Sequence, residues 1–223
     1  IELNARTNGG TTAFMLACFY GHKDVVKLLV DHHERIDLNA RDDFLGKTAF
    51  LRACENRHID VVQLLLDHSD LGIDLNARDY EGRTVLMWAC QYERQEYIVQ
   101  LLLGNADRID LNARNNNGRT ALMLACIHAH KRIIQLLLAH FKRIDLNATD
   151  DHGFTVLMLA CAGGHKDVVK LLLDHSERND LNARNNRGLT ALMCACQNGH
   201  KDVVQLLLDH SERIELNTRS KTG

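Results

Sequence analysis

NATDDHGFTVLMLACAGGHKDVVKLLLDHSERND, residues 147–180, decides how the chain is read. Between Asn147 and Gly153, Asn, Asp and Gly supply turn chemistry, because Gly tolerates positive φ and Asx side chains bond nearby backbone. A hairpin-like finger is expected there. Thr155 stands where an N-cap hydroxyl would accept orphan amides, and VLMLACA (156–162) follows as a first helix closed by Gly163 and Gly164. Asp167 precedes VVKLLLDH, in which Val168, Val169, Leu171, Leu172 and Leu173 cover more than one face. That pattern predicts a second helix buried between neighbours.

The same order recurs along the chain. Ala-Cys places Cys18, Cys54, Cys90, Cys126, Cys161 and Cys196 at intervals of 36, 36, 36, 35 and 35 residues. Leu-Asn gives Asn4, Asn39, Asn76, Asn112, Asn147, Asn182 and Asn217, and Gly10, Gly46, Gly82, Gly118, Gly153, Gly188 and Gly223 follow them. Six repeats are expected, at about 4–38, 39–75, 76–111, 112–146, 147–181 and 182–216, with 217–223 opening a truncated seventh. Single insertions near Asp43 to Leu45, near Ser69 to Ile73 and within Gln91 to Tyr97 account for the longer intervals.

The motif G-x-T-[AV]-[LF]-[ML]-x-A-C, followed by G-H-K-D-V-V-x-L-L-L and D-L-N-A, resembles the ankyrin repeat. The resemblance covers all 223 residues and implies an all-α solenoid of stacked helix-turn-helix units with finger loops. The chain departs from the family at two points. Ala13, Ala49, Val85, Ala121, Val156 and Ala191 stand where the family has Pro; Met15, Leu51, Met87, Met123, Met158 and Met193 stand where it has His. Apolar packing by Met is expected to replace the family's Thr-to-His hydrogen bond. The exit loop, DHHERIDLNA at 31–40 in the first repeat, is longer than the family's and is expected to extend the second helix. The resemblance further implies that the Asn at each finger base holds its turn, and that hydroxylation of that Asn is an alternative role.

Composition excludes several classes. With 45% hydrophobic residues the chain can build a core, and a net charge of −2 with pI near 6.7 gives no basic footprint for nucleic acid. No apolar run reaches the roughly 18 residues of a membrane span, and IELNARTNGG (1–10) is not a secretory leader. Seven cysteines without a disulfide framework suit a reducing compartment, so the expected location is intracellular: the cytoplasm, or the nucleus.

The cysteines and histidines invite chemistry but repeat too regularly for it. A nucleophile is needed once, and stacked helices roughly 8–10 Å apart keep equivalent thiols beyond disulfide reach and beyond a shared zinc. Buried structural thiols are expected for the six repeated cysteines; Cys194, off the register, reads as small apolar filler. Two histidine rows, His22, His58, His130, His165 and His200, then His32, His68, His140, His175 and His210, are expected to support loops and helix ends. Neither a phosphate loop nor a catalytic elbow appears. The expectation is a non-enzyme without cofactor or metal.

Function should lie where the repeat is broken. In the ankyrin family partners bind the face made by finger tips and first helices. On that face the candidates are Phe19, Tyr20, Phe44, Lys47, Tyr80, Arg83, Tyr92, Arg119, Ile127, His128, Phe154 and Leu189, because aromatic and Arg side chains anchor interfaces. Trp88 reads as packing. The row Arg6, Arg41, Arg78, Arg114, Arg184 and Arg219 reads as scaffold. The expected partner is a protein or peptide with acidic and apolar residues, bound by a monomer whose open terminal repeats also permit end-to-end association. The alternatives are a regulatory or spacer segment of a larger enzyme and, lower in rank, a Cys/His metal protein.

Overall fold

The structure, a computed structural model, describes residues 2–210 and 212. Asn217, Arg219, Gly223 and the start of a seventh repeat therefore lie outside the described residues, as do residues 213–216. The chain divides into two compact units, Ile1–Asp110 and Leu111–Gly223. The first contains the helix pairs α1 (Ala13–Phe19) and α2 (Lys23–Val30), α3 (Ala49–Glu55) and α4 (Ile59–Asp67), α5 (Val85–Gln91) and α6 (Glu96–Gly104). The second contains α7 (Ala121–Ile127) and α8 (Lys131–Leu138), α9 (Val156–Ala162) and α10 (Lys166–Leu173), α11 (Ala191–Gln197) and α12 (Lys201–Leu208). Among the described residues there is no strand, and no helix is long and apolar enough to cross a membrane.

Each first helix begins at a threonine. Thr12, Thr48, Thr84, Thr120, Thr155 and Thr190 hold extended backbone, and each hydroxyl accepts from the amide three residues on, at 3.2–3.4 Å. Such a cap contributes about 1 kcal/mol. Helices of seven residues are still too short to stand alone, so packing must hold them. Within the first unit α1 packs on α3 and α3 on α5; within the second α9 packs on α7 and α11, while second helices pair α2 with α4 and α10 with α8 and α12. Met15, Met87, Met123 and Met158 are buried in these seams, in the place the family gives to His.

The exit from the second helix differs from expectation. It does not lengthen that helix but tightens into a separate 3₁₀ turn, at His33–Arg35, Ser69–Leu71, Ala106–Arg108 and Ser176–Arg178. The turn delivers an extended residue such as Ile36 into the core, which a continued α-helix would carry away. The finger asparagines also act over a longer range than their own turns. Asn4 Nδ2 donates to Arg35 O at 3.0 Å while its Oδ1 accepts from Asp37 N at 2.8 Å, so one carboxamide ties the entrance of a repeat to its exit. Asn39 does the same with Gly72 and Asp74, Asn76 with Arg108 and Asp110, Asn112 with Arg143 and Asp145, and Asn147 with Arg178 and Asp180.

The three insertions fall in turns. Gly46 N reaches Asp42 O, one residue further back than the Gly10 N to Thr7 O bond of the first finger. Gly72 (φ 64°) takes left-handed backbone at the second insertion, and the third falls in the link before Arg94 (φ 61°), which keeps the left-handed step that Gly21, Arg57, Ala129, Gly164 and Gly199 take at the same place. The helices keep their register.

Replacing Asn76 by Ala removes two hydrogen bonds, the partly buried one to Arg108 O and the exposed one from Asp110 N. A loss of about 2–3 kcal/mol in unfolding free energy is expected, read from urea titration by circular dichroism; a loss below about 0.5 kcal/mol would deny the tie its role.

Candidate partner-binding faces

In the first unit the finger and first-helix face is apolar. Leu16, Tyr20, Phe44, Leu45, Tyr80 and Tyr92 all lie exposed on it, with Phe44 at 73% and Tyr20 at 61%. Leu16, Phe19, Tyr20 and Phe44 wall a groove of about 350 Å³, with Met15 beneath and the Asp42–Arg52 pair at its polar end. Phe19 and Tyr20 meet edge to face at 5.0 Å, and the Arg52 guanidinium sits 5.8 Å from the Phe19 ring centre. The Phe44 ring rests on Gly9, where any Cβ would collide with it.

The inserted finger is organised by one carboxylate. Asp42 Oδ1 accepts from Phe44 N, Leu45 N and Gly46 N at 2.8–3.1 Å, and Oδ2 from Arg52 Nη2 at 2.8 Å. Burial pushes the Asp42 carboxyl up, but the Leu45 amide and the Arg52 guanidinium outweigh it, so the group lies below the usual carboxylate range. It stays charged and aims Phe44 and Leu45 outward.

The cations of this face do not reach solvent as the sequence suggests. Lys47 is 3% exposed and pairs with Glu55 at 2.8 Å; Arg83 is 6% exposed and pairs with Asp79 at 2.9 Å and Glu81 at 3.1 Å. Lys47 also lies 5.8 Å from the Trp88 ring centre, and Trp88 packs against Tyr92 at 4.6 Å. Tyr80 covers Gly46 and stacks with Arg41 at 5.4 Å, and Arg41 Nε donates to Gly46 O. The arginine row is thus bound to fingers: Arg6 donates to Arg41 O and Asp43, Arg114 to Gly118 O, and Arg184 to Gly188 O.

In the second unit the same face is less apolar. Arg119 lies 3.6 Å from the buried Asp150 carboxylate, and Ile127, Phe154 and Leu189 are half-buried. His128 is exposed and stacks on His130 at 5.7 Å. Burial, then electrostatic repulsion from His130, Arg119 and His165, pushes its imidazole below the ordinary histidine range.

Sequence reasoning missed Leu16, Leu45, Asp42 and Arg52. Leu45 was signalled by the insertion itself, and Leu16 by its repeat position, which holds Arg52, Trp88, Leu124, Leu159 and Cys194 elsewhere.

Five histidines of the two rows bond the scaffold's backbone. His58, His165 and His200 place Nε2 2.7–3.2 Å from the carbonyls of Phe19, Ile127 and Ala162, and because a carbonyl only accepts, Nε2 carries the proton. His68 and His210 turn Nδ1 to carbonyls of their own last helical turns. Among the described residues no three of His, Cys, Asp or Glu come together to hold a metal ion. Burial pushes the Cys18 thiol up to about 12 and Cys194 to about 11, with Cys54, Cys90 and Cys161 raised as well. One position departs from expectation. Cys196 is exposed and Cys194 buried, because Cys194 faces α9 while no further first helix among the described residues covers Cys196.

Turn, short helix, turn and second helix in series define a helical repeat protein. The pattern described as ankyrin repeats matches residues 1–79, 71–150 and 142–220, and the chain belongs to the ankyrin repeat family. No curated protein matches it. It is similar to the solved ankyrin repeat protein EF0377, with 26% identity over 88% of this chain and 96% of that one and a TM-score of 0.76. It is also similar to the ankyrin repeat domain of Bcl-3, a member of the IκB protein family, with 28% identity over 91% of this chain and 87% of that one and a TM-score of 0.80. Ankyrin repeats generally serve as protein-interaction modules and not as enzymes.

Two outcomes are expected. Arg83→Glu sets a carboxylate against Asp79 inside the unit and should cost about 3–5 kcal/mol, seen as a fall in melting temperature; an unchanged melt would return Arg83 to the open face. A thiol reagent on native protein should label Cys196 rapidly and the remaining cysteines only after denaturation, which mass spectrometry of the digest resolves.

Proposed function

We propose that the chain is a protein-interaction scaffold whose first unit receives an apolar segment of a partner protein in the groove between its first two fingers. The observation that carries this is the concentration of exposed Leu16, Tyr20, Phe44, Leu45, Tyr80 and Tyr92 on one face of one unit. Exposed apolar patches on soluble domains mark interaction sites. Aromatic anchors set in a pocket are the usual centres of binding energy.

The partner's chemistry follows from the same face. A row of free cations would have favoured an acidic partner, but Lys47 and Arg83 are neutralised by Glu55, Asp79 and Glu81. Apolar side chains of the partner therefore supply the affinity. Tyr20, Tyr80 and Tyr92 contribute hydroxyls at the rim.

Panning a displayed random-peptide library on the purified chain should recover sequences rich in Leu, Phe, Trp or Met. Phe44→Ala should weaken the recovered peptides by about tenfold or more, while the melting temperature moves by less than about 2 °C. Peptides that bind Phe44→Ala and Tyr20→Ala as tightly as the original chain would place the site elsewhere.

A further inference from the structure

In the second unit the exit loops of the fourth and fifth repeats border a cavity of about 450 Å³. Its lining includes a residue that breaks a rule kept in the earlier repeats. Ile36, Ile73, Ile109 and Ile144 occupy one position, all buried against their neighbours, and Asn179 replaces them. Asn179 is only 5% exposed, yet neither its Nδ2 nor its Oδ1 has a hydrogen-bond partner. A buried carboxamide with both ends unpartnered is unfavourable unless something supplies a donor and an acceptor.

The rim of the cavity is acidic. Asp145, Glu177 and Asp180 line it and are exposed. Asp145 and Asp180 each use one carboxylate oxygen to accept a backbone amide two residues on. Arg178 is the one cation among the lining residues, and its guanidinium is drawn to Phe141, donating to the Phe141 carbonyl at 2.9 Å and lying 5.9 Å from the ring centre. The site therefore offers a buried donor-and-acceptor pair surrounded by negative charge.

We propose that this cavity binds a basic segment of a partner protein in extended conformation. The N–H and C=O of one residue of the extended chain, which point to the same side, complement Oδ1 and Nδ2 of Asn179, and the flanking Lys or Arg side chains meet Asp145, Glu177 and Asp180. An extended chain presents such backbone groups freely. The surface lies on exit loops of the second unit, and the proposal does not depend on the apolar groove of the first.

The test uses the full chain and a fluorescein-labelled probe, acetyl-Gly-Arg-Gly-Lys-Gly-amide, titrated by anisotropy at low and physiological salt, with the same peptide carrying Glu in place of Arg and Lys as control. The basic probe should bind and the acidic one should not. Asn179→Ile should weaken binding about tenfold while raising the melting temperature by about 2–4 °C, because it restores the isoleucine row and so cannot act by unfolding. Glu177→Gln should weaken binding about threefold. Equal affinity of Asn179→Ile and the original chain, no binding by the original chain, or a lower melting temperature of Asn179→Ile would each overturn the proposal.

Discussion

The carboxamide at the base of each finger is the constraint on which each unit rests. An Asn side chain offers one donor and one acceptor in a fixed plane. In this protein the two reach a carbonyl and an amide that close the same repeat some thirty residues later, as Asn39 does with Gly72 O and Asp74 N. Entrance and exit are therefore held at a set distance, and the next repeat starts in a set orientation. The helices between are too short to persist alone. Their threonine caps, methionine seams and isoleucine row become effective only because this tie returns the chain to the correct place for the next pair.

Charge on the finger face is handled the same way, by local closure. Asp42 gathers three amides and Arg52, Asp79 holds Arg83, and Lys47 closes on Glu55. Breaking such pairs leaves an uncompensated buried charge, which costs more than a surface pair contributes. The face consequently shows a partner its aromatic and aliphatic side chains, while most of its ions serve the turns beneath.

Much of the fold could be read from the sequence, because a repeat exposes its own logic: Thr before an apolar run, Gly after it, Asn at a fixed interval. The turn, helix, turn and helix order follows from residue type and spacing, while the Met seams and the loop role of the histidines follow once the resemblance to the ankyrin repeat is added. Exposure was harder to read. Lys47 and Arg83 follow the repeat Gly, at a finger position that by spacing alone reads as outward, but their partners lie eight residues ahead and four behind, and only the closed finger brings them together. Cys196 shares its register with five buried thiols, yet burial belongs to what is stacked on a residue and not to the residue. The range of the asparagine bonds was equally hidden, since a turn-holding and a repeat-spanning Asn have the same sequence signature.

The insertions show why the candidate groove sits where it does. All three fall in the first unit, and each is absorbed in a turn, so no helix register is disturbed. An inserted residue in a turn can be harmless or can carry a new surface, depending on what the extra backbone displaces. At Gly72 it adds only a left-handed step in the exit, and near Arg94 it lengthens the link between helices. Between Asp42 and Gly46 it enlarges the finger around one carboxylate, and the residues pushed outward are Phe44 and Leu45. Solvent exposure of a Phe ring is unfavourable at roughly 25 cal/mol per Å² of apolar surface. A finger enlarged by a polar residue would have avoided that cost; this one places the ring on Gly9, beside Leu16 and Tyr20, where a partner's apolar side chains can cover it.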